Sequence, residues 1–124
     1  MVALALLSAC APTTYDATVA PTVAPTTSTT VPIATVDDAL AAMLVEVETL
    51  GRKVEAGRGD QEAATLIENL WAVARDEVAA TRPELLADFE FVVSRCRLAA
   101  DRNRPADADR AFKNLRVLVD AYGT

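Results

Sequence analysis

The sequence predicts an all-α protein: an up-down-up-down four-helix bundle over residues 35–124, behind a disordered N-terminal linker. Three observations predict it. From Thr35 onward, apolar residues recur three and four apart in four blocks, each as long as a bundle helix. The turn signals between blocks occupy only a few residues, which forces neighbouring helices to run antiparallel. No stretch shows the period-two alternation of a half-buried strand.

The first block places Val36, Leu40, Met43, Leu44, Val47, Leu50 and Val54 on one face. Thr35 with Asp38 three residues on resembles a capping box, and Gly57 supplies the stop. Asp60 is the expected N-cap of the second block, whose inward residues are Ala63, Leu66, Ile67, Leu70, Val73, Ala74 and Val78. The third block opens Thr81-Arg82-Pro83-Glu84, with Thr81 as cap, Glu84 reaching back and Pro83 in the first turn. Leu85, Leu86, Phe89, Val92, Val93 and Cys96 then form its buried stripe. A similar start, Asn103-Arg104-Pro105, introduces Ala108, Ala111, Phe112, Leu115, Leu118, Val119 and Tyr122, and Gly123 closes the block. Helices of roughly 18 to 21 residues would span about 30 Å at a rise of 1.5 Å per residue.

Residues 11–34 hold eight Thr, one Ser and four Pro, including the near-repeat Val19-Ala20-Pro21-Thr22-Val23-Ala24-Pro25-Thr26. Proline removes the donors of helix and sheet, and too little apolar surface is left for a core, so residues 10–34 are expected to be a spacer. Extended at ~3.1 Å per residue, it would reach about 75 Å. Its composition fits an O-glycosylated stalk or an unmodified tether equally well.

Ahead of the spacer, the apolar run Val2-Ala3-Leu4-Ala5-Leu6 leads into Leu7-Ser8-Ala9-Cys10. This tetrapeptide resembles the lipobox of bacterial lipoproteins. The resemblance implies that residues 1–9 are a signal peptide, that cleavage leaves Cys10 as the first mature residue, and that its sulfur carries a diacylglycerol. Two acyl chains anchor a protein stably where one does not. The implied location is the extracytoplasmic face of the bacterial cytoplasmic membrane. No Lys or Arg precedes Cys10, so the signal peptide is expected to be truncated, with its true start upstream of Met1. The order of anchor, Thr/Pro spacer and Ala/Arg-rich helices is similar to that of small actinobacterial lipoproteins. The apolar run is too short to span a bilayer, which takes about 20 residues. With Cys10 lipidated and Cys96 left alone, no intrachain disulfide is expected.

The net charge of −6 is unevenly placed: residues 37–80 carry ten acids and four bases, whereas residues 81–124 carry seven acids and eight bases. Arg95, Arg97, Arg102, Arg104, Arg110, Lys113 and Arg116 crowd around the turn between the last two blocks. They read either as a patch for an anionic partner (headgroups, wall polymer or an acidic envelope protein) or as a solvated face with pairs such as Asp109 with Lys113. The acidic total and the implied export exclude nucleic acid as a partner.

Catalytic machinery is not legible. The chain has no histidine, the commonest general base and transition-metal ligand, and no Glu-x-x-His repeat of a carboxylate metal bundle. Glu77 is the one acid near an inward stripe, as a boundary ion pair. Asp101–Asp107 begins like a calcium loop but has Ala106 and Phe112 where glycine and glutamate are needed. Arg58-Gly59-Asp60 reads as turn chemistry, Met43 and Cys96 as core. Trp71 beside the second stripe, and Phe91 with Leu98 seven residues apart, are either an edge of the core or an apolar strip for a partner.

The expected function is therefore a non-enzymatic, membrane-anchored interaction module without catalytic residues, metal or cofactor. Its partner surface is expected to comprise Arg95, Arg102, Arg104, Arg110 and Lys113 with Trp71, Phe91 and Leu98. The alternative is a ligand- or metal-ion-binding bundle serving an uptake system.

Overall fold

A computed structural model describes residues 35–124; the signal-like run, Cys10 and the Thr/Pro-rich stretch lie outside the described residues. The described residues form four helices: α1 (Val36–Ala56), α2 (Asp60–Thr81), α3 (Leu86–Asp101) and α4 (Pro105–Tyr122). A 3-10 turn, Pro83–Leu85, leads into α3. Each helix packs on its two neighbours in the ring α1–α2–α3–α4, with α3 diagonal to α1. This is the four-helix bundle expected from the sequence. The antiparallel sense shows in cross-helix pairs: Glu68 meets Arg97, while Arg75, further along α2, meets Glu90, further back along α3.

The helix ends divide into those the sequence announces and those it misassigns. Thr35 Oγ1 accepts the Asp38 amide at 3.1 Å and donates to its carboxylate at 2.8 Å, satisfying an orphan donor of α1. Gly57, at φ 61°, sends its amide to Val54 while Arg58 reaches Lys53, closing the last turn of α1 in a left-handed stop. Asp60 is not a cap: the flanking residue is Gly59, and Asp60 sits inside the first turn as an acidic complement to the helix dipole.

Thr81 is not a cap either. It ends α2, and its hydroxyl donates back to the Glu77 carbonyl at 2.8 Å. The chain breaks at Arg82, which pairs with Glu84 at 3.1 Å, so Glu84 is not reaching back to a cap. Asn103 likewise finishes α3 rather than starting α4. It adopts φ 51°, its amide bonds Ala100, and Arg104 bonds Ala99, the same closure that Gly57 gives α1. Asparagine is among the few residues that visit this region readily.

The core is thin and dominated by small side chains. Phe89, Leu40, Met43, Leu50, Ile67, Leu115, Val47, Val54, Val78 and Cys96 are its largest fully buried members. Buried alanines on every helix let the backbones approach closely. Gly51 shows how closely α1 and α4 meet, since a methyl group there would stand 2.8 Å from the Asp109 carboxylate. Trp71 lies inside at 6% exposure, its ring stacked on Phe89 with centroids 5.2 Å apart and planes 17° from parallel. Leu66 and Val73, expected inside, are exposed. The inward face of α2 takes Ala64 and Trp71 on its flank instead.

Phe89→Ala is expected to cost about 3–5 kcal/mol in urea unfolding, because it removes a buried ring and strands its stacked partner. Phe91→Ala, two positions on but half exposed, should cost below about 1 kcal/mol. Equal losses would show that the stack is not central to the core.

Candidate functional site

Helical spacing places Asp88, Phe91, Arg95, Leu98 and Arg102 along one side of α3. Arg110, Asn114, Val117 and Ala121 run the opposite way along α4. A groove lies between Asp88 and Phe91 of the first row and Asn114 and Val117 of the second. Asp88, Phe91 and Val92 from α3 and Asn114, Val117 and Leu118 from α4 line its open concavity of about 320 Å³. Phe91 is 53% exposed and Val117 67% exposed, whereas Val92 and Leu118 form the buried floor. The Arg95 guanidinium lies 5.1 Å from the centroid of the Phe91 ring, a cation–π contact that holds both side chains at the rim. Leu98, further along the row, is half-buried.

The basic residues near the α3–α4 turn do not act as one patch. Arg97 points away from the groove and grips α2. Its Nε and Nη2 donate to Glu68 at 2.9 and 2.7 Å, and further bonds reach Gln61 at 3.0 Å and Thr65 at 2.9 Å. Arg104 is held by Asp107 at 3.1 Å, and Arg110 touches the same carboxylate more loosely at 3.8 Å. Asp107 is the one buried acid among the described residues, and these two arginines compensate it. Both arginines answer Asp107 and both side chains stay more than half exposed, Arg104 less so than Arg110. Arg102 and Lys113 have no carboxylate within 4.0 Å among the described residues. The expected Asp109–Lys113 pair does not form, because Asp109 is turned toward Gly51. Arg116 lies 5.9 Å from the Phe112 ring centroid, on another side of α4.

Trp71, expected at a partner surface, is instead a core residue for the reason given above. Glu77 is exposed rather than on the inward boundary. Cys96 is wholly buried, and loss of hydration pushes its thiol up to about 12, so it holds no reactive thiolate. Among the described residues no three His, Cys, Asp or Glu side chains come close enough to hold a metal ion, and no helix is long and apolar enough to cross a membrane. Sequence reasoning missed Asp88 on α3, and it missed Val117 and Asn114 on α4. The signal for the α4 pair was the outward spacing Arg110, Asn114, Val117, Ala121, which lies beside the inward stripe of the same helix.

The Glu68–Arg97 pair gives a pH dependence with a defined sign. The hydrogen bond from Arg97 holds the Glu68 carboxyl below its ordinary value of 4.5, with burial opposing. A folded-state value below the unfolded one stabilises fully above about pH 4.5, and the contribution is lost as pH falls through the folded value. In Glu68→Gln the drop in urea stability between about pH 6 and about pH 3 should shrink by less than about 1 kcal/mol, the scale of a solvent-screened pair. Superimposable profiles for parent and variant would show that the pair contributes nothing. In a Cys10→Ser background, Cys96 is expected to resist a thiol reagent in the native state and to react fully in denaturant. Rapid native labelling would contradict its placement in the core.

In comparisons with protein-family models, curated proteins and solved structures, the chain finds no significant match. The functional reading rests on the groove and on the sequence ahead of it.

Proposed function

We propose that this chain is a lipoprotein held through Cys10 at the extracytoplasmic face of the bacterial cytoplasmic membrane, and that its bundle is a non-enzymatic interaction module. The face that binds is the α3–α4 groove, through Phe91, Arg95, Leu98, Arg102, Arg110 and Val117. The observation that carries the reading is the placement of Phe91 and Val117. They come from different helices, both are more than half exposed, and they flank one concavity whose floor is already sealed. Isolated exposed apolar residues need no explanation, but an apolar pair across a groove beside unpaired cations is what a partner surface requires. The anchor is supported by Leu7-Ser8-Ala9-Cys10 and the spacer behind it.

Two measurements test the two halves. Intact mass spectrometry of the chain from its host's membrane fraction is expected to find a start at Cys10 with diacylglycerol attached, and Cys10→Ser should release the protein from the membrane. An unmodified chain retaining Met1 in the soluble fraction would overturn the anchor. For the module, a benzophenone amino acid replacing Phe91 should give a discrete protein adduct on irradiation in cells. The same group at Val45, which is exposed on the diagonal helix α1, should give none. No adduct at Phe91, or the same adducts at both positions, would overturn the proposed face.

A further inference from the structure

Resting on that reading, we infer that the α3–α4 groove takes an acidic amphipathic helix about four turns long. Its acidic residues lie over the end of the groove nearest the α3–α4 turn, and its apolar residues lie between Phe91 and Val117.

The shape comes from spacing. Asp88, Phe91, Arg95, Leu98 and Arg102 are alternately three and four residues apart, and Arg110, Asn114, Val117 and Ala121 repeat four, three, four. These are the intervals at which one helix meets another along a seam, and here each row runs outside the bundle interior, with Asp88, Phe91, Asn114 and Val117 at the concavity itself. A third helix laid into the groove would pack against both α3 and α4 along these rows. The row from Asp88 to Arg102 covers about 21 Å at 1.5 Å per residue, which sets the length of the occupant.

The charge comes from position. Arg95 stands at the rim against Phe91, and exposed Arg102 and Arg110 continue the two rows toward the α3–α4 turn, while Asp88 is the acid lining the far end. This basic stretch stands on a chain whose net charge is −6. An acidic helix is attracted to the groove and repelled by the rest of the surface, which steers both encounter and register. The same asymmetry sets direction: acids on the occupant belong opposite Arg95 and Arg102, and a base or neutral residue belongs opposite Asp88. A flat anionic surface would not match a concavity with an apolar floor and an acid at one end. A second copy would have to offer a helix already committed to its own bundle.

The test uses the whole soluble chain with Cys10→Ser, isotopically labelled for amide spectra, and two synthetic helical peptides of about 16 residues. Both carry leucine at the seam positions; one has glutamate and the other lysine on the flanks. At low ionic strength the glutamate peptide should bind at least about tenfold more tightly than the lysine peptide, with the preference shrinking as salt is added. Its perturbed amides should fall in residues 88–102 and 110–121. The double change Arg95→Glu with Arg102→Glu alters exposed side chains only and should reverse the preference while leaving the spectrum of a folded protein. Equal binding of the two peptides, no binding, perturbation centred on Leu66 and Val73, or an unreversed preference would each overturn the inference. So would phosphatidylglycerol vesicles or a second copy of the chain perturbing the groove where the glutamate peptide does not. If benzophenone at Phe91 captures a protein in cells but the peptides show no charge preference, the module stands and the acidic helix falls. If the glutamate peptide binds the groove but no adduct forms in cells, the groove chemistry stands and the module reading falls.

Discussion

The stack of Trp71 on Phe89 is the contact on which the rest of the bundle depends. Of the 23 buried hydrophobic residues among those described, eight are alanine. Alanines bring helices together but supply little apolar area, and a fold of about 90 residues has little to spare. The area must come from a few large side chains, and Trp71 and Phe89 are the largest of them. They bridge α2 and α3 on the side where the connection is least regular, with Arg82 broken out of helix and Pro83–Leu85 in a 3-10 turn. Packing holds the two helices in register where the chain between them does not.

That requirement explains where sequence reading succeeded and where it failed. Inward residues 63, 67, 70, 74 and 78 define the axis of the buried face of α2, and this was legible from periodicity alone. The flanks were not. Leu66 and Val73 lie on one side of that axis, Ala64 and Trp71 on the other, and both pairs are seven apart. A period of 3.6 cannot choose between them. The neighbouring helix chooses, and Phe89 across the interface draws the tryptophan in. The stripes of α1, α3 and α4 had no such rival and were legible almost completely. Helix ends failed for a related reason. Thr81 and Asn103 are residue types that serve either as starts or as stops, and only the path of the next turn decides which. Thr35 follows a Thr/Pro-rich stretch with no helical periodicity, so its role as a start was readable.

Electrostatics divided in the same way. A count of charges along the chain locates a basic segment but cannot say which arginines answer to acids on another helix. Glu68 and Arg97 are 29 positions apart, and their bond depends on the rotation of α2 against α3. Asp107 similarly claims Arg104 and part of Arg110, since a carboxylate that enters the boundary of the core must be compensated. What remains after these internal demands is narrower than the sequence suggested. Arg95, Arg102 and Lys113 are left, with the exposed part of Arg110, and of these Arg95 stands at the rim of the apolar groove, against Phe91.

The groove is therefore what the fold leaves over. Its rim residues lie outside the core: Phe91 is half exposed with Arg95 over its ring, and Val117 is more exposed still beside Leu118, which already closes the interior. Polar side chains could occupy both positions without opening a cavity, so stability gives no reason for apolar ones there. The ends of the bundle add to this. Asp37, just after the chain enters at Thr35, sits beside Arg82, Tyr122 and Thr124, so entry, the α2–α3 connection and the C-terminus share one end. The α3–α4 turn lies at the other. Thr35 thus lies at the end of the bundle bearing Asp88, and the cations near the α3–α4 turn lie at the end farthest from it. An acidic helix approaching from the end opposite Thr35 would meet the cations first and the apolar pair second, the order in which charge guides an encounter and apolar contact then holds it.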